Sequence, residues 1–382
     1  MRKMLIATDG FLPRWDGIAS FLNQVIPRLE DEFELSIIAP NLGEMTTKYK
    51  AEITRFNTAR IRLADNYYAS LPNPFVMAKK IASTDIVWVQ CLGPIGVFGI
   101  ILSKLKRKKV VLYLHMIEWE VFPQSQGIDL LKVPLNTLTK ALSIMLYRMC
   151  DLIIVPSSEH VELMNMAHVR CDKRIVHLGV DAEKYKPSHS KEASKRNLGI
   201  NPGSFVIGYA GRVSLEKDLK TLYRAYLRVC KKHKDTVLLI AGGGRPELEK
   251  MFANKPNIIL TGLKDNLAPF YQAMDAYVLP SLTETTSLTT MEAMATGVAV
   301  VATPVGFVKE YINEGTNGLL FPKKNSFALY QQLEFLIENP EARVKLGENA
   351  RKTILENYTW DKTADKLRYI FSSVLGESLP HP

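Results

Sequence analysis

Ala276-Tyr-Val-Leu-Pro-Ser-Leu-Thr-Glu284-Thr-Thr-Ser-Leu-Thr-Thr-Met-Glu292-Ala-Met-Ala-Thr-Gly297-Val-Ala-Val-Val-Ala302 reads as strand, loop, helix, glycine, strand. Glu284 stands in the loop beyond the first strand. Glu292 lies inside an otherwise apolar helix, among Leu288, Met291, Ala293 and Ala295. A carboxylate in such surroundings needs a partner, because isolated buried charge is costly. Two partners fit: ribose hydroxyls, taken in pairs by one carboxylate, or a lysine from elsewhere in the chain. The loop between the glutamates opens the helix at Leu288 and Thr289, whose first amides suit a phosphate.

The same unit repeats outward in both directions: a short β-branched run, a Gly/Pro/Ser turn, an amphipathic helix. The other runs of the second half are Phe205–Ala210, Thr236–Ala241 and Asn257–Thr261; those of the first are Met4–Thr8, Leu35–Ala39, Ile86–Gln90, Val110–His115 and Leu152–Pro156. Helices are expected around Ile18–Leu29, Phe75–Ile81, Ile95–Leu105, Leu130–Met149 and Glu159–Met166. Strands apolar on both faces and alternating with helices predict parallel sheets covered on both sides. The polar stretch Asp181–Ser204, with two prolines, interrupts the pattern. The predicted architecture is α/β: two Rossmann-like, doubly wound domains at 1–185 and 204–359, a linker at 186–203, and a last helix in 360–382 free to pack on either domain. Ligands of such sheets bind beyond the carboxyl ends of the strands. The cleft between two facing domains is therefore the default site.

Composition agrees. Of 382 residues, 47% are hydrophobic and 23% charged, which excludes disorder, coiled coil and small disulfide scaffolds. Lys and Arg number 49 against 39 Asp and Glu, a net charge of +10 that suits an anionic partner. The excess is even along the chain, so no nucleic-acid arm is implied. Cys91, Cys150, Cys171 and Cys230 are too scattered for a metal clip and fit free thiols in a reducing compartment. Residues 86–103 carry no charge for 18 positions, near the roughly 20 that span a bilayer. Gln90 and Gly93-Pro94 split that run into a strand, a turn and a helix. Met4 to Ala7 is too short for a secretory leader, so a cytoplasmic location is expected.

Other candidates lie at strand ends. Arg212 and Lys217 follow Phe205–Ala210 on a loop entering a helix, where two cations clamp a diphosphate, one as a planar fork and one as a point charge; exposed charges without a ligand are the competing reading. Gly17, in Pro13-Arg-Trp-Asp-Gly17, sits where a phosphate or sugar can approach the backbone, or in a plain loop. His115 ends a strand with Glu118 three residues on; a histidine there contacts a sugar hydroxyl, acts as acid or base, or is structural. Gly242-Gly-Gly-Arg-Pro246 lacks the Gly-x-Gly-x-x-Gly spacing and the later acidic residue of a dinucleotide site.

Taken in order, these segments resemble the retaining glycosyltransferases of family 4, of GT-B architecture. The resemblance covers almost the whole chain. It runs through Pro13-x-x-x-Gly17, Val155-Pro-Ser-Ser158, His177-Leu-Gly-Val-Asp181, Tyr185-Lys-Pro187, Gly211-Arg212 with Glu216-Lys217, Ala273 to Ser281, the pair Glu284 and Glu292, and Gly315-Thr-Asn-Gly-Leu-Leu-Phe-Pro322. It implies that Arg212 and Lys217 hold the diphosphate of a UDP- or GDP-hexose and Glu292 its ribose, with Leu288 and Thr289 in the donor site. Glu284 is implied to meet the transferred sugar, Gly17 the donor phosphates, and His115 the reacting centre. No cofactor or metal is implied. The chain departs from the family at Thr286 and Ser287, where relatives carry an aromatic residue and a glycine, and at His177-Leu178, where relatives carry an Asn. A nucleotide-sugar epimerase of the same architecture, which cleaves donor without glycosylating an acceptor, is the nearest alternative; a sugar-binding protein would need secretion.

The acceptor expected from the sequence is a membrane lipid or lipid-linked glycan, with a soluble acceptor as the alternative. Lys104, Lys106, Arg107, Lys108 and Lys109 place five cations within six positions at the end of an apolar helix. Leu130–Met149 is rich in Leu, Ile and Met, with Lys132, Lys140 and Arg148 between them. A basic patch beside apolar surface attracts anionic lipid, and the loop Tyr67–Pro74 resembles that of lipid-modifying relatives. Peripheral contact with the inner face of the cell membrane is the corresponding expectation.

Overall fold

The structure, a computed structural model, describes residues 1–14, 16–64, 67–115, 117 and 132–377, with side chains left out at 60–64, 67 and 132–135. Glu118 lies outside the described residues, as does the side chain of Lys132. The chain forms two compact units, Met1–His177 with Trp360–Pro382, and Leu178–Thr359.

The first unit holds strands β1 (Arg2–Ala7), β2 (Phe33–Pro40), β3 (Glu52–Phe56), β4 (Thr58–Ala64), β5 (Tyr67–Ser70), β6 (Ile86–Val89), β7 (Lys109–Tyr113), β8 (Leu152–Val155) and β9 (Asp172–Ile175). Seven of them form one parallel sheet in the order β3-β2-β1-β6-β7-β8-β9, while β4 and β5 pair as an antiparallel hairpin. The uncharged run at 86–103 resolves into β6 and the helix Pro94–Leu105. Asp9, 1% exposed, accepts the Ile95 and Gly96 amides at that helix's start, 3.0 Å each. A carboxylate there complements the helix dipole.

The second unit holds β10 (Phe205–Ala210), β11 (Thr236–Ala241), β12 (Ile258–Leu260), β13 (Ala276–Leu279), β14 (Ala299–Ala302) and β15 (Leu319–Leu320). Their order, β12-β11-β10-β13-β14-β15, is the 3-2-1-4-5-6 order of a doubly wound sheet, all parallel. Alternate residues enter separate cores. Val206, Leu239, Tyr277 and Val300 pack on one face; Ile207, Leu238, Val278 and Val301 pack on the other. That two-sided burial is why the strands read as continuous apolar runs.

Two boundaries differ from the sequence reading. The first unit ends at His177, and the stretch expected as a linker, 186–203, is built into the second. There the helix Lys191–Asn197 sets Lys195, 5% exposed, 2.7 Å from the carboxylate of Asp275, which also accepts the Val206 amide. A lysine in a polar-looking stretch is thus part of a buried ion pair. The helix Trp360–Val374 packs on the first unit, with Phe371 5.0 Å from Trp88 and Trp360 6.0 Å from Phe21 between ring centroids. Short or polar strands went unread: β3, the β4–β5 hairpin, β9 and β15. The Tyr67–Pro74 segment is β5 followed by the start of the helix Pro74–Ala82, capped by Asn73, whose Oδ1 accepts the Phe75 and Val76 amides.

Candidate active site

The strand order of the second sheet reverses between β10 and β13, and ligands of such sheets bind beyond the carboxyl ends at that switch point. Two loops arise there: 211–218 after β10 and 280–287 after β13. The Leu282 amide donates to the Glu216 carbonyl at 2.7 Å and fastens one loop to the other. Lys217 closes a short 3-10 turn, Leu215–Lys217. Its Nζ lies 2.5 Å from Glu284 Oε1, and Ser281 Oγ donates to the same oxygen at 2.6 Å. Both side chains of the ion pair are largely buried, Lys217 at 16% and Glu284 at 8% exposure. The two donors converge on Oε1, which leaves Oε2 for a further donor. Arg212, on the same loop, is 77% exposed and 3.8 Å from Glu216.

The helix Leu288–Ala295 opens at Ser287, whose backbone is left-handed with φ 57°. The first bonds toward the helix run from the Thr290 and Met291 amides to the Ser287 carbonyl. The amides of Leu288 and Thr289 precede that ladder, as first-turn amides do. The Thr289 hydroxyl accepts from Tyr277 at 3.0 Å. Gly306 approaches so closely that a Cβ on it would lie 1.9 Å from the Glu284 carbonyl oxygen, and the Phe307 amide donates to the Thr285 carbonyl at 3.0 Å. The Glu284 loop is seated on this glycine.

Among the described residues a phenol, not a lysine, bonds Glu292, with Lys184 acting on it through charge. Tyr271 donates to its Oε2 at 2.8 Å, and the Tyr185 ring packs edge-on against Tyr271 at 5.8 Å. Burial pushes the Glu292 carboxyl up to about 7, with the two phenols and Lys184 drawing it down.

In the first unit, Gly17 begins the helix Gly17–Leu29, capped by Asp16, whose Oδ1 accepts the Ala19 amide at 2.8 Å. A Cβ on Gly17 would meet nothing within 4 Å. Phe21, on that helix, stands edge-on to the His115 ring at 5.0 Å, and Tyr113 lies against it at 4.4 Å. His115 Nε2 is 2.9 Å from Gln90 Oε1. With Oε1 as acceptor the imidazole donates from Nε2, and Nδ1 is left as an acceptor. Burial lowers the imidazole to about 3. His115 is therefore neutral at physiological pH and suits a hydroxyl contact rather than a cationic acid.

Other expectations change on contact with the structure. Gly242-Gly-Gly serves backbone packing: a Cβ on Gly242 would lie 1.8 Å from the Gly211 carbonyl oxygen, and Gly244 bridges Val213. Within the basic cluster, Lys104 and Lys109 both pair with Asp151, at 2.6 and 3.6 Å. No site role for Tyr185, Tyr271, Ser281, Gln90 or Asp9 follows from the sequence. Gln90 is the one with a local signal, a polar residue directly after an apolar strand.

Two family profiles match the chain in succession: Glycosyltransferase Family 4 over residues 15–184, and Glycosyl transferases group 1 over residues 190–353. The chain belongs to the family 4 glycosyltransferases. The glycosyltransferase is 25% identical to a GDP-mannose-dependent alpha-mannosyltransferase of Corynebacterium glutamicum, over 95% of this chain and 85% of that one. It is 27% identical to the lipopolysaccharide core biosynthesis mannosyltransferase LpcC of Rhizobium leguminosarum, over 61% and 67%. With the sulfoquinovosyl transferase SQD2 of Arabidopsis thaliana the identity is 28%, over 79% and 60%. The chain thus spans about three fifths of some curated relatives it matches. Among solved structures, HepE of Anabaena in complex with UDP superposes with a TM-score of 0.76 at 17% identity, over 98% of this chain and 100% of that one. That likeness is one of fold, GT-B.

Proposed function

We propose that this glycosyltransferase moves a glucose- or mannose-type hexose from UDP or GDP onto a lipid or lipid-linked acceptor, with retention of configuration and without a metal. The buried Lys217–Glu284 pair at the switch point of the second sheet carries the reading. In it Lys217 exchanges Glu284 for the donor diphosphate, Arg212 closes on the same phosphates, and the Leu288 and Thr289 amides complete the anion site. Glu284 is thereby released to the hexose hydroxyls, and Glu292 takes the ribose. Gly17 admits the phosphates close to backbone in the first unit, and His115 Nδ1 accepts a hydroxyl at the reacting centre. The acceptor oxygen bonds to the anomeric carbon on the face from which the diphosphate departs. The C–O bond to the diphosphate breaks, and the leaving diphosphate takes the acceptor proton. Arg212 and Lys217 supply the positive charge that this leaving group requires.

Relatives named as mannosyltransferases, one of them for lipopolysaccharide core biosynthesis, support a mannose-type donor and a lipid-linked acceptor. So does the surface of the first unit. Leu138, Leu142 and Met145 form an exposed stripe at i, i+4 and i+7 of the helix Lys132–Met149, with Lys140 and Arg148 nearby in sequence. Phe75, 85% exposed, and Leu105, 73%, add further apolar area. Among the described residues no helix is long and apolar enough to cross a membrane; peripheral docking at the inner membrane face is the mode proposed.

Incubation with radiolabelled UDP-glucose and GDP-mannose, with and without EDTA, in the presence of membrane lipid extract tests the reading. Label in the organic phase, α-linked and undiminished by EDTA, is expected. Free hexose as the sole product would overturn the transferase assignment, and label confined to water-soluble product would assign a soluble acceptor. Co-sedimentation with anionic vesicles should weaken when Leu138, Leu142 and Met145 are replaced by Ser, or when Lys106, Arg107 and Lys108 are neutralised. Absence of vesicle binding at low salt removes the membrane part.

A further inference from the structure

Tyr271 lies 21 residues before Glu292 and Tyr185 earlier still, so the fold and not chain proximity brings them beside it. Tyr271, fully buried on the short helix Ala268–Ala273, donates to Glu292 Oε2 at 2.8 Å. Tyr185, 7% exposed, sets its ring against that of Tyr271 at 5.8 Å and 73°, which brings its phenol to the side of the same carboxylate. Three contacts fix the Tyr185 segment in place. Arg351 donates to the carbonyls of both Tyr185 and Ala295, the latter at the end of the Glu292 helix. Gln272 Nε2 donates to the Lys186 carbonyl at 2.9 Å. Pro187 packs 3.4 Å from where a Gly297 Cβ would stand. The two phenols are buried, while Glu292 keeps accessible surface. The carboxylate is thus held by Tyr271 in a residue that is not fully buried.

We propose that Tyr185 and Tyr271 are positioning residues for donor binding: their hydroxyls hold the Glu292 carboxylate in its ionised form and in one orientation, with acceptor capacity left for the vicinal hydroxyls of the nucleotide. The inference rests on Glu292 being a nucleotide contact. A carboxylate has roughly four lone-pair sites; the Tyr271 phenol uses one of them, and a cis-diol can use others. The remaining groups facing Glu292 do not replace the phenols. Lys184 acts on it through charge without a hydrogen bond; Tyr277 from β13 gives its hydroxyl to Thr289, and Arg351 is engaged with carbonyls. Since burial already raises the Glu292 carboxyl to about 7, loss of either phenol raises it further, and a neutral carboxyl loses part of its capacity to accept from a diol.

Calorimetric titration of the full chain with UDP and with GDP, at about pH 6, 7 and 8.5, tests this for Tyr185→Phe, Tyr271→Phe and Glu292→Gln. Each Phe variant is expected to bind roughly tenfold more weakly than the parent near pH 7, with the gap narrowing at about pH 8.5 as the carboxylate ionises. Glu292→Gln is expected to bind weakly at every pH. Parent-like affinity and pH profile in both Phe variants, or a loss of equal factor at every pH, overturns the positioning role while a weakened Glu292→Gln preserves the nucleotide contact. Parent-like binding by Glu292→Gln overturns both. If Tyr271→Phe fails to fold, the shallower Tyr185→Phe decides.

Discussion

Lys217 and Glu284 satisfy one another in this structure, so their replacement should separate two functions. Glu284→Gln keeps the hydrogen bond from Ser281 yet frees the Lys217 charge. UDP or GDP alone should bind at least as tightly as to the parent, while hexose transfer falls by a hundredfold or so, equivalent to about 2.7 kcal/mol of lost transition-state contact. Lys217→Ala leaves a carboxylate of 8% exposure without its cation. It should lose both nucleotide affinity and about 3 kcal/mol of stability, since breaking a buried pair strands a charge. Calorimetry and chemical denaturation read the two effects separately. Ser287 poses a third question at this scale. Its φ of 57° suits glycine. Ser287→Gly should preserve transfer and stabilise by up to about 1 kcal/mol, read as a higher denaturation midpoint. Loss of activity would mean instead that the bond between the Ser287 and Thr290 hydroxyls, 2.8 Å, orders the helix start.

At the scale of elements, the site depends on loops pinned by backbone. Gly306→Ala places a methyl 1.9 Å from the Glu284 carbonyl oxygen, in a left-handed position. The 280–287 loop must move, and kcat should fall at least tenfold with little change in secondary structure; circular dichroism and a transfer assay check this together. The Glu292 helix gives the second unit a pH signature. Its carboxyl titrates near 7 in the folded protein and near 4.5 unfolded, so folded protein holds the proton more tightly between those values. The stability this gives is fully present below about pH 4.5 and is lost as pH rises through about 7, on the order of 3 kcal/mol in all. Glu292→Gln, which cannot ionise, should flatten that slope in urea titrations from about pH 5 to pH 8.

At the scale of the molecule, the chain leaves its first unit at His177, builds the second, and returns at Trp360 to complete the first. The return is structural. Trp360, Leu367 and Phe371 are buried, and Arg28 pairs with Asp361 at 2.7 Å and Arg368 with Glu32 at 3.0 Å. Truncation after Thr359 should therefore uncover Phe21, Phe33 and Trp88 and unfold the first unit. The second unit should keep its nucleotide binding, because every residue proposed to hold the diphosphate and ribose, apart from Gly17, lies within it. Proteolysis with and without UDP, read by mass spectrometry, distinguishes this from loss of the whole fold.

The sequence by itself determined the α/β class and both parallel sheets, and it offered candidate residues at strand ends. Those follow from local signals: apolar runs such as Val298–Ala302 are strands because both faces are buried, and Arg212, Lys217 and Glu284 stand beyond strand ends whatever their neighbours. The strands it did not reveal, such as β9 with its sequence Asp-Lys-Arg-Ile, lie at sheet edges where burial is slight and the pattern fades. Partnership was decided by the tertiary structure alone. Nothing near Glu292 in sequence announces Tyr271, 21 residues away, or Tyr185 beyond it, and nothing near Lys104 announces Asp151. A buried charge takes its stability from whatever the fold brings within about 3 Å, and that distance is set by the crossing of elements, not by spacing along the chain. For the same reason the choice among a hydroxyl contact, an acid or base and a structural role for His115 was open until the fold placed Phe21, Tyr113 and Gln90 around it, where burial keeps it neutral.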